Sequence, residues 1–272
     1  MKREDKKVHG ESAGERELLL AIDVGNSKIA FGVFEGEKLL TTLSVSTGLH
    51  RLADDYASLL VNLLPRHDIA FEEIKGTAIC SVVPPLGPVM EDVCRRYMKS
   101  PPLVVGAGIK TGVRIRMDNP REVGADRVVN AAAAVKLYGC PAIVIDFGTA
   151  ITFDVVSSEG DYLGGAIAPG MEVAAEGLFM RTAKLPRVEL VAPEHAIGKN
   201  TITAMQSGIV FGYVGLAEGM VARLKREVGE DARVIATGGY GGLIASLTPV
   251  IGAVNPDLTL IGLRLIYELN RR

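Results

Sequence analysis

The chain has 272 residues, 48% of them hydrophobic and 23% charged, and its 30 Lys and Arg stand against 32 Asp and Glu for a formal net charge of −2. That length buries one large core or two moderate ones, while a near-neutral balance without any basic block excludes a nucleic-acid surface and makes small-molecule chemistry the default. The longest apolar runs, such as residues 18–22 and 142–145, fall far short of the roughly 20 residues that span a bilayer, so no membrane segment is expected.

In chain order, residues 1–17 are charged and polar and lack the apolar stretch of a signal peptide; they read as a disordered tail or cloning remnant, and the fold is expected to begin at Leu18. Strands are predicted over 18–22, 28–34 and 38–46, joined by turns at Gly25 and Gly36 into an antiparallel meander. A helix over 53–64 is stopped by Pro65, and strand 76–81, helix 88–98 and strand 103–105 follow. Asn119 and Glu122 have capping-box spacing with Pro120 at the first helical position, which predicts a helix start just ahead of Gly124-Ala125-Asp126-Arg127. A helix through the small residues 130–134 ends at Gly139. Strands over 142–146, 149–157 and 161–167 come next, then helices over 171–180 and 203–228, a strand over 233–236, a Gly238-Gly239 turn, a helix near Leu243 and a final helix over 257–270 completing the second half. The order of the first half returns in the second. The chain therefore reads as a duplicated βββαβαβ α/β fold, with lobes over 18–118 and 119–272 facing a central cleft.

The duplication extends to chemistry. Ile22-Asp23-Val24-Gly25-Asn26-Ser27 and Ile145-Asp146-Phe147-Gly148-Thr149 each end an apolar strand in Asp, then place Gly and a small polar residue in a strand-to-strand turn. Such a turn offers backbone N–H groups and a hydroxyl or amide to phosphate oxygens, and the preceding carboxylate suits a cation. A single Asp-X-Gly is an ordinary hairpin turn, but the second copy makes phosphate binding the better reading. Asp126 has the chemistry to accept a proton from a substrate hydroxyl and Arg127 to grip a carboxylate or phosphate, with a helix-end ion pair as the plainer alternative. The adjacent helix N-terminus is expected to hold Asp126 low in pKa, a weak base that still serves phosphoryl transfer by orienting the hydroxyl. Gly198-Lys199-Asn200-Thr201 is no P-loop, because Pro193 stands where the first glycine belongs; it fits ligand contact and plain N-capping equally. Cys80, Cys94 and Cys140 fit neither a disulfide framework nor a zinc site and point to a reducing cytoplasm. None of the four histidines neighbours a candidate nucleophile.

Taken together and in this order, Asp23-Val24-Gly25-Asn26, Gly124-Ala125-Asp126-Arg127, Asp146-Phe147-Gly148-Thr149-Ala150, Gly164-Gly165-Ala166-Ile167-Ala168-Pro169-Gly170 and Gly198-Lys199-Asn200-Thr201 closely resemble type III pantothenate kinases. The resemblance runs from about Leu18 to the C-terminus and implies an actin-like, ribonuclease H-like fold and ATP-dependent phosphorylation of pantothenate to 4′-phosphopantothenate. It implies that the stretch Asp23, Val24, Gly25, Asn26, Ser27, Lys28, Ile29 and Ala30 forms the ATP phosphate turn together with Thr149. It further implies Asp126 as catalytic base and Gly124, Ala125, Asp126, Arg127 and Thr201 as pantothenate contacts, with Met117 at another contact position. Asp146 would hold a monovalent cation, potassium or ammonium, and Mg2+ would accompany the ATP phosphates. The resemblance also implies a homodimer with sites near the subunit interface. Three positions depart from the family pattern: Met117 stands where many members have tyrosine, Ser27 replaces threonine, and Ile151 stands where threonine is frequent. Losing the tyrosine hydroxyl should cost on the order of 1 kcal/mol in substrate binding and leave the base intact. Two other readings remain open at this point: a non-catalytic, transcriptional accessory relative of the same fold, and a kinase for another hydroxy acid.

Overall fold

The structure, a computed structural model, describes residues 16–271. The tail expected over 1–17 lies outside the described residues except for its last two, Arg16 and Glu17, which are tied down: Arg16 Nε donates to Glu35 at 3.1 Å, and Glu17 accepts from Arg271 at 3.0 Å.

Strand β1 (Leu18–Val24) is apolar along almost its whole length because it is covered on both faces. It pairs antiparallel with β2 (Lys28–Glu35) and parallel with β4 (Ile74–Ser81), with β3 (Lys38–Ser46) and β5 (Leu103–Val104) outside them, in the order β3-β2-β1-β4-β5. The second sheet repeats this. Its central strand β7 (Ala142–Phe147) pairs antiparallel with β8 (Ala150–Val156) and parallel with β10 (Arg233–Gly238). With β9 (Asp161–Pro169) and β11 (Ala253–Val254), the order β9-β8-β7-β10-β11 matches the first sheet strand for strand. One addition breaks the symmetry: β6 (Arg114–Ile115) lies parallel to β9 at the outer edge.

Helices α1 (Ala53–Leu63) and α2 (Gly87–Tyr97) close one face of the first sheet, where Tyr56, Leu60, Met90 and Val93 pack against Leu20, Ile22, Ile29 and Phe31. On the second sheet α4 (Met171–Arg181), α5 (Thr201–Val228) and α6 (Gly241–Ala245) do the same, Val210, Val214 and Ile244 meeting Ile143, Ile145 and Phe153. Helices α3 (Ala125–Tyr138) and α7 (Leu258–Arg271) fill the space between the sheets. Val129, Ala132, Leu260 and Leu263 pack on Ala21 and Ala78, while Ala131, Ala134 and Leu258 pack on Val144 and Tyr162.

Several elements differ from expectation. The final helix, expected to complete the second half, bridges both sheets because it carries two apolar stripes; periodicity predicts the helix but not its partners. Asn119 does cap a helix with Pro120 in first position, but that helix is one 3₁₀ turn, Pro120–Glu122. Val123 is extended and α3 starts afresh from Gly124. Helix α5 begins at Thr201 rather than 203, because Asn200 accepts from Thr203 N at 2.9 Å and donates its own N–H to Thr203 Oγ1 at 3.3 Å. Strands β6 and β11 are two residues long, too short for any alternation to announce them.

Candidate active site

Asp23 and Asp146 hold equivalent places near the ends of the two central strands. Asp23 lies opposite Ala30 on β2 and Cys80 on β4; Asp146 lies opposite Thr152 on β8 and Thr237 on β10. Each turn that follows is pinned. Gly25 N donates to Lys28 O at 3.0 Å, and the end of β3 clamps the turn through Thr47 N to Ser27 O at 3.1 Å and Thr47 Oγ1 to Gly25 O at 2.7 Å. In the second lobe Gly148 N donates to Ala150 O at 3.1 Å and Gly170 N to Thr149 O at 3.0 Å. A Cβ at Gly170 would lie 2.3 Å from both Gly148 O and Thr149 O, so the sequence needs glycine there. The two turns meet across the cleft, Ser27 Oγ and Thr149 Oγ1 being 2.8 Å apart. Asn26, Ser27 and Lys28 are exposed at the tip, whereas the side chains of Val24, Ile29 and Ala30 enter the core and leave only their backbone to a ligand.

Asp126 is the second residue of α3. Its Oδ1 accepts from Arg127 N at 2.8 Å and folds back towards Gly124, where a Cβ would come within 2.5 Å of it. The expected lowering of its pKa does not hold. Burial raises it, outweighing the Arg127 N–H and guanidinium charge that favour the ionised form. A raised carboxylate is a better base. Asp23 is pushed up to about 7 by burial, then by the charges of Asp126 and Asp146, and Asp146 to about 6 by burial, Asp126 and Asp154. Lys28 opposes both shifts, and Asn130 Nδ2, 3.3 Å from Asp146 Oδ2, opposes the second.

Three mutually repelling carboxylates are a donor set that a cation relieves. Among the described residues no group of three or more His, Cys, Asp or Glu converges closely enough to cage a metal by itself. The fit is to an ion that completes its shell with phosphate oxygens and water, as Mg2+ commonly does.

Arg127 is less free than its sequence position suggests. Its Nε donates to Asp154 Oδ1 at 2.6 Å, leaving Nη1 and Nη2 without a partner among the described residues. Met117 packs by Cγ and Sδ, 3.7 Å from where a Cβ of Gly164 would stand. Thr201 is the first residue of α5. It lines a cavity of about 720 Å3 between α4 and α5, with Leu178, Lys199, Asn200, Met205 and Tyr213 among its walls. Sequence reasoning missed Asp154, Thr152, Tyr162 and Thr47, and saw in Asn130 only a packing residue. The one signal was a carboxylate inside the apolar strand β8.

The profile of the type III pantothenate kinase family matches residues 19–223. A type III pantothenate kinase of Dehalococcoides mccartyi (strain CBDB1) is 54% identical over 255 residues, spanning 94% of this chain and 97% of that protein. Among solved structures, a conserved protein of Campylobacter jejuni described as a Baf family transcriptional activator superposes with a TM-score of 0.61 at 18% identity, over 93% of this chain and 98% of its own. An inorganic polyphosphate/ATP-glucomannokinase from Arthrobacter sp. strain KM superposes with a TM-score of 0.51 at 13% identity, over 93% of this chain and 99% of its own. At those identities the structural likeness speaks for the fold alone, a two-lobed duplicated α/β fold. Because the family profile covers most of the chain and the relative is identical at more than half of the aligned positions, the chain belongs to the type III pantothenate kinase family.

Proposed function

We propose that the chain transfers the γ-phosphate of ATP to the primary hydroxyl of pantothenate, giving 4′-phosphopantothenate, the first committed step towards coenzyme A. What carries this reading is the meeting of Asp23, Asp126 and Asp146 beside two joined phosphate turns in a member of this family. Asn26, Ser27 and Lys28 from one turn and Thr149 from the other hold the phosphates from both sides. Asp126 orients the attacking hydroxyl and takes its proton, which burial of the carboxylate favours. Arg127 offers its free Nη1 and Nη2 to the pantothenate carboxylate, and Gly124 and Ala125 let the substrate approach the start of α3. Asp23 would hold Mg2+ brought in with ATP and Asp146 would hold potassium or ammonium, whose charge would neutralise the phosphates. Thr201 serves pantothenate at the mouth of the α4–α5 cavity.

The proposed working unit is a homodimer. Val173, Leu178 and Met180 on α4, with Ile197 and Ile202 around the start of α5, expose large apolar side chains beside that cavity, a surface that a second copy would cover. The proposed compartment is the cytoplasm, in keeping with three free cysteines; no helix among the described residues is long and apolar enough to cross a membrane.

A coupled ADP-release assay with pantothenate, run in potassium and in sodium, tests the reading. Turnover should depend on potassium and fall by roughly 10²- to 10⁴-fold in Asp126→Asn, with ATP binding retained. Absence of turnover in the unmutated protein, despite ATP binding, would remove pantothenate as the acceptor.

A further inference from the structure

Asp154 on β8 is fully buried, and every hydrogen bond it makes constrains its direction. Its Oδ1 accepts from Tyr162 OH at 2.8 Å as well as from Arg127 Nε at 2.6 Å, and its Oδ2 accepts from Thr152 Oγ1 at 2.9 Å. Thr152 and Tyr162 belong to the sheet itself, so the carboxylate is fixed from below and Arg127 takes its orientation from it. The Arg127 guanidinium also lies over the Tyr162 ring, its Cζ 5.8 Å from the ring centroid. The same face of the sheet holds α3 a second time one turn further on, where Asn130 Nδ2 donates to Asp146 at 3.3 Å while Asn130 Oδ1 accepts from Thr259 Oγ1 at 2.8 Å. Arg127 follows Asp126 directly and Asn130 lies one turn beyond it on α3, so these two clamps set the register of the base as well.

The manner of pairing leaves part of the guanidinium available. Arg–carboxylate pairs are frequently bidentate, through two parallel N–H bonds. Here only Nε is engaged and both Nη atoms are left over.

We propose that Asp154 is the positioning residue for Arg127: it grips the guanidinium through Nε so that Nη1 and Nη2 are aimed together at the carboxylate of the acceptor substrate. The inference deepens the reading given above and rests on Arg127 binding pantothenate. Asp154 itself touches no substrate; it acts through Arg127.

The test compares the full-length protein with Asp154→Asn and Tyr162→Phe in steady-state assays varying pantothenate and ATP separately, alongside NMR of the Arg127 Nε–H. Asp154→Asn should raise the KM for pantothenate on the order of tenfold and change the KM for ATP by no more than about twofold, with the Nε–H losing its protection from exchange. Tyr162→Phe, which keeps the ion pair but frees one side of the carboxylate, should shift the pantothenate KM the same way by less. An unchanged pantothenate KM, or both KM values rising together with a lower melting temperature, overturns the proposal in favour of a purely structural pair. If Asp154→Asn does not fold, Tyr162→Phe decides by the same criterion. Failure of the underlying reading is separately visible, because the unmutated protein would then not turn over pantothenate at all, and the inference would fall with it.

Discussion

A carboxyl titrating at about 7 in the folded chain but near 4 when unfolded makes the native state bind extra protons between those two values. For Asp23 the sign follows directly. Below about pH 4 both states are protonated and the group contributes nothing; as pH rises towards 7 the native state must surrender a proton it holds tightly, and stability falls. Above that window the full penalty is present: a buried charge facing Asp126 and Asp146. Asp23→Asn removes it. In buffer free of small cations and nucleotide, the variant should be more stable than the parent at pH 8, by a few kcal/mol at most, and by roughly less than half as much at pH 5. Melting curves at the two pH values decide the matter, since an equal offset at both would mean that the carboxylate cluster carries no such strain. By the same electrostatics, a site that repels itself when empty should gain affinity for cationic ligands as pH rises through the window.

Two helices that pass between two sheets must approach each other closely, and α3 and α7 do so at Gly262. A Cβ there would lie 2.4 Å from Val129 O and 2.6 Å from Val129 Cγ1. In an open helix glycine costs about 1 kcal/mol relative to alanine, but a backbone carbonyl cannot step aside, so the steric term should win. Gly262→Ala should destabilise by roughly 1–3 kcal/mol, a fall of several degrees in Tm. Gly215→Ala on α5, where an added Cβ meets nothing within 4 Å, should instead raise Tm slightly. Melting both variants together tests whether the crossing is as tight as described; a stabilised Gly262→Ala would show that it is not.

The same elements mark how far the sequence could be read. β1 and β7 were legible because strands covered on both faces print unbroken apolar runs ending in Asp, and the paired turns were legible because the pattern occurs twice. The partners of α7 were not, because an apolar stripe states that a helix is covered without saying by what. Burial of Asp126 was equally hidden: the helix N-terminus is visible in the sequence and lowers the pKa, while the packing that raises it comes from elements distant in the chain. Asp154 shows the limit most clearly, since its partners Arg127 and Tyr162 lie 27 and 8 residues away and only the fold brings them together.

At the scale of the whole molecule the central question is what covers the second lobe's outer surface. The first sheet is closed by α1 and α2, and the space between the sheets by α3 and α7. On the second lobe Met180 is 68% exposed, Ile197 82% and Ile202 50%, close to a cavity with an apolar wall. Scattered surface apolar residues need no explanation, but a concentration around one cavity does. A stable dimer needs on the order of 800 Å2 from each partner, and an apolar patch at its centre supplies most of the drive. If this surface is the seam of a homodimer, Met180→Asp and Ile202→Asp should each shift the protein from dimer to monomer in sedimentation velocity while leaving its circular dichroism unchanged, because neither side chain is part of the core. The turns at Gly25 and Gly148 proposed to hold phosphate, remote from the substitutions in sequence and joined within one chain by Ser27 and Thr149, should still bind ATP in the monomer. Pantothenate handling should suffer more, because Thr201 lines the cavity beside the seam. A protein that sediments as a monomer before any substitution, or as a dimer after both, would move the interface elsewhere and leave the cavity between α4 and α5 open to solvent.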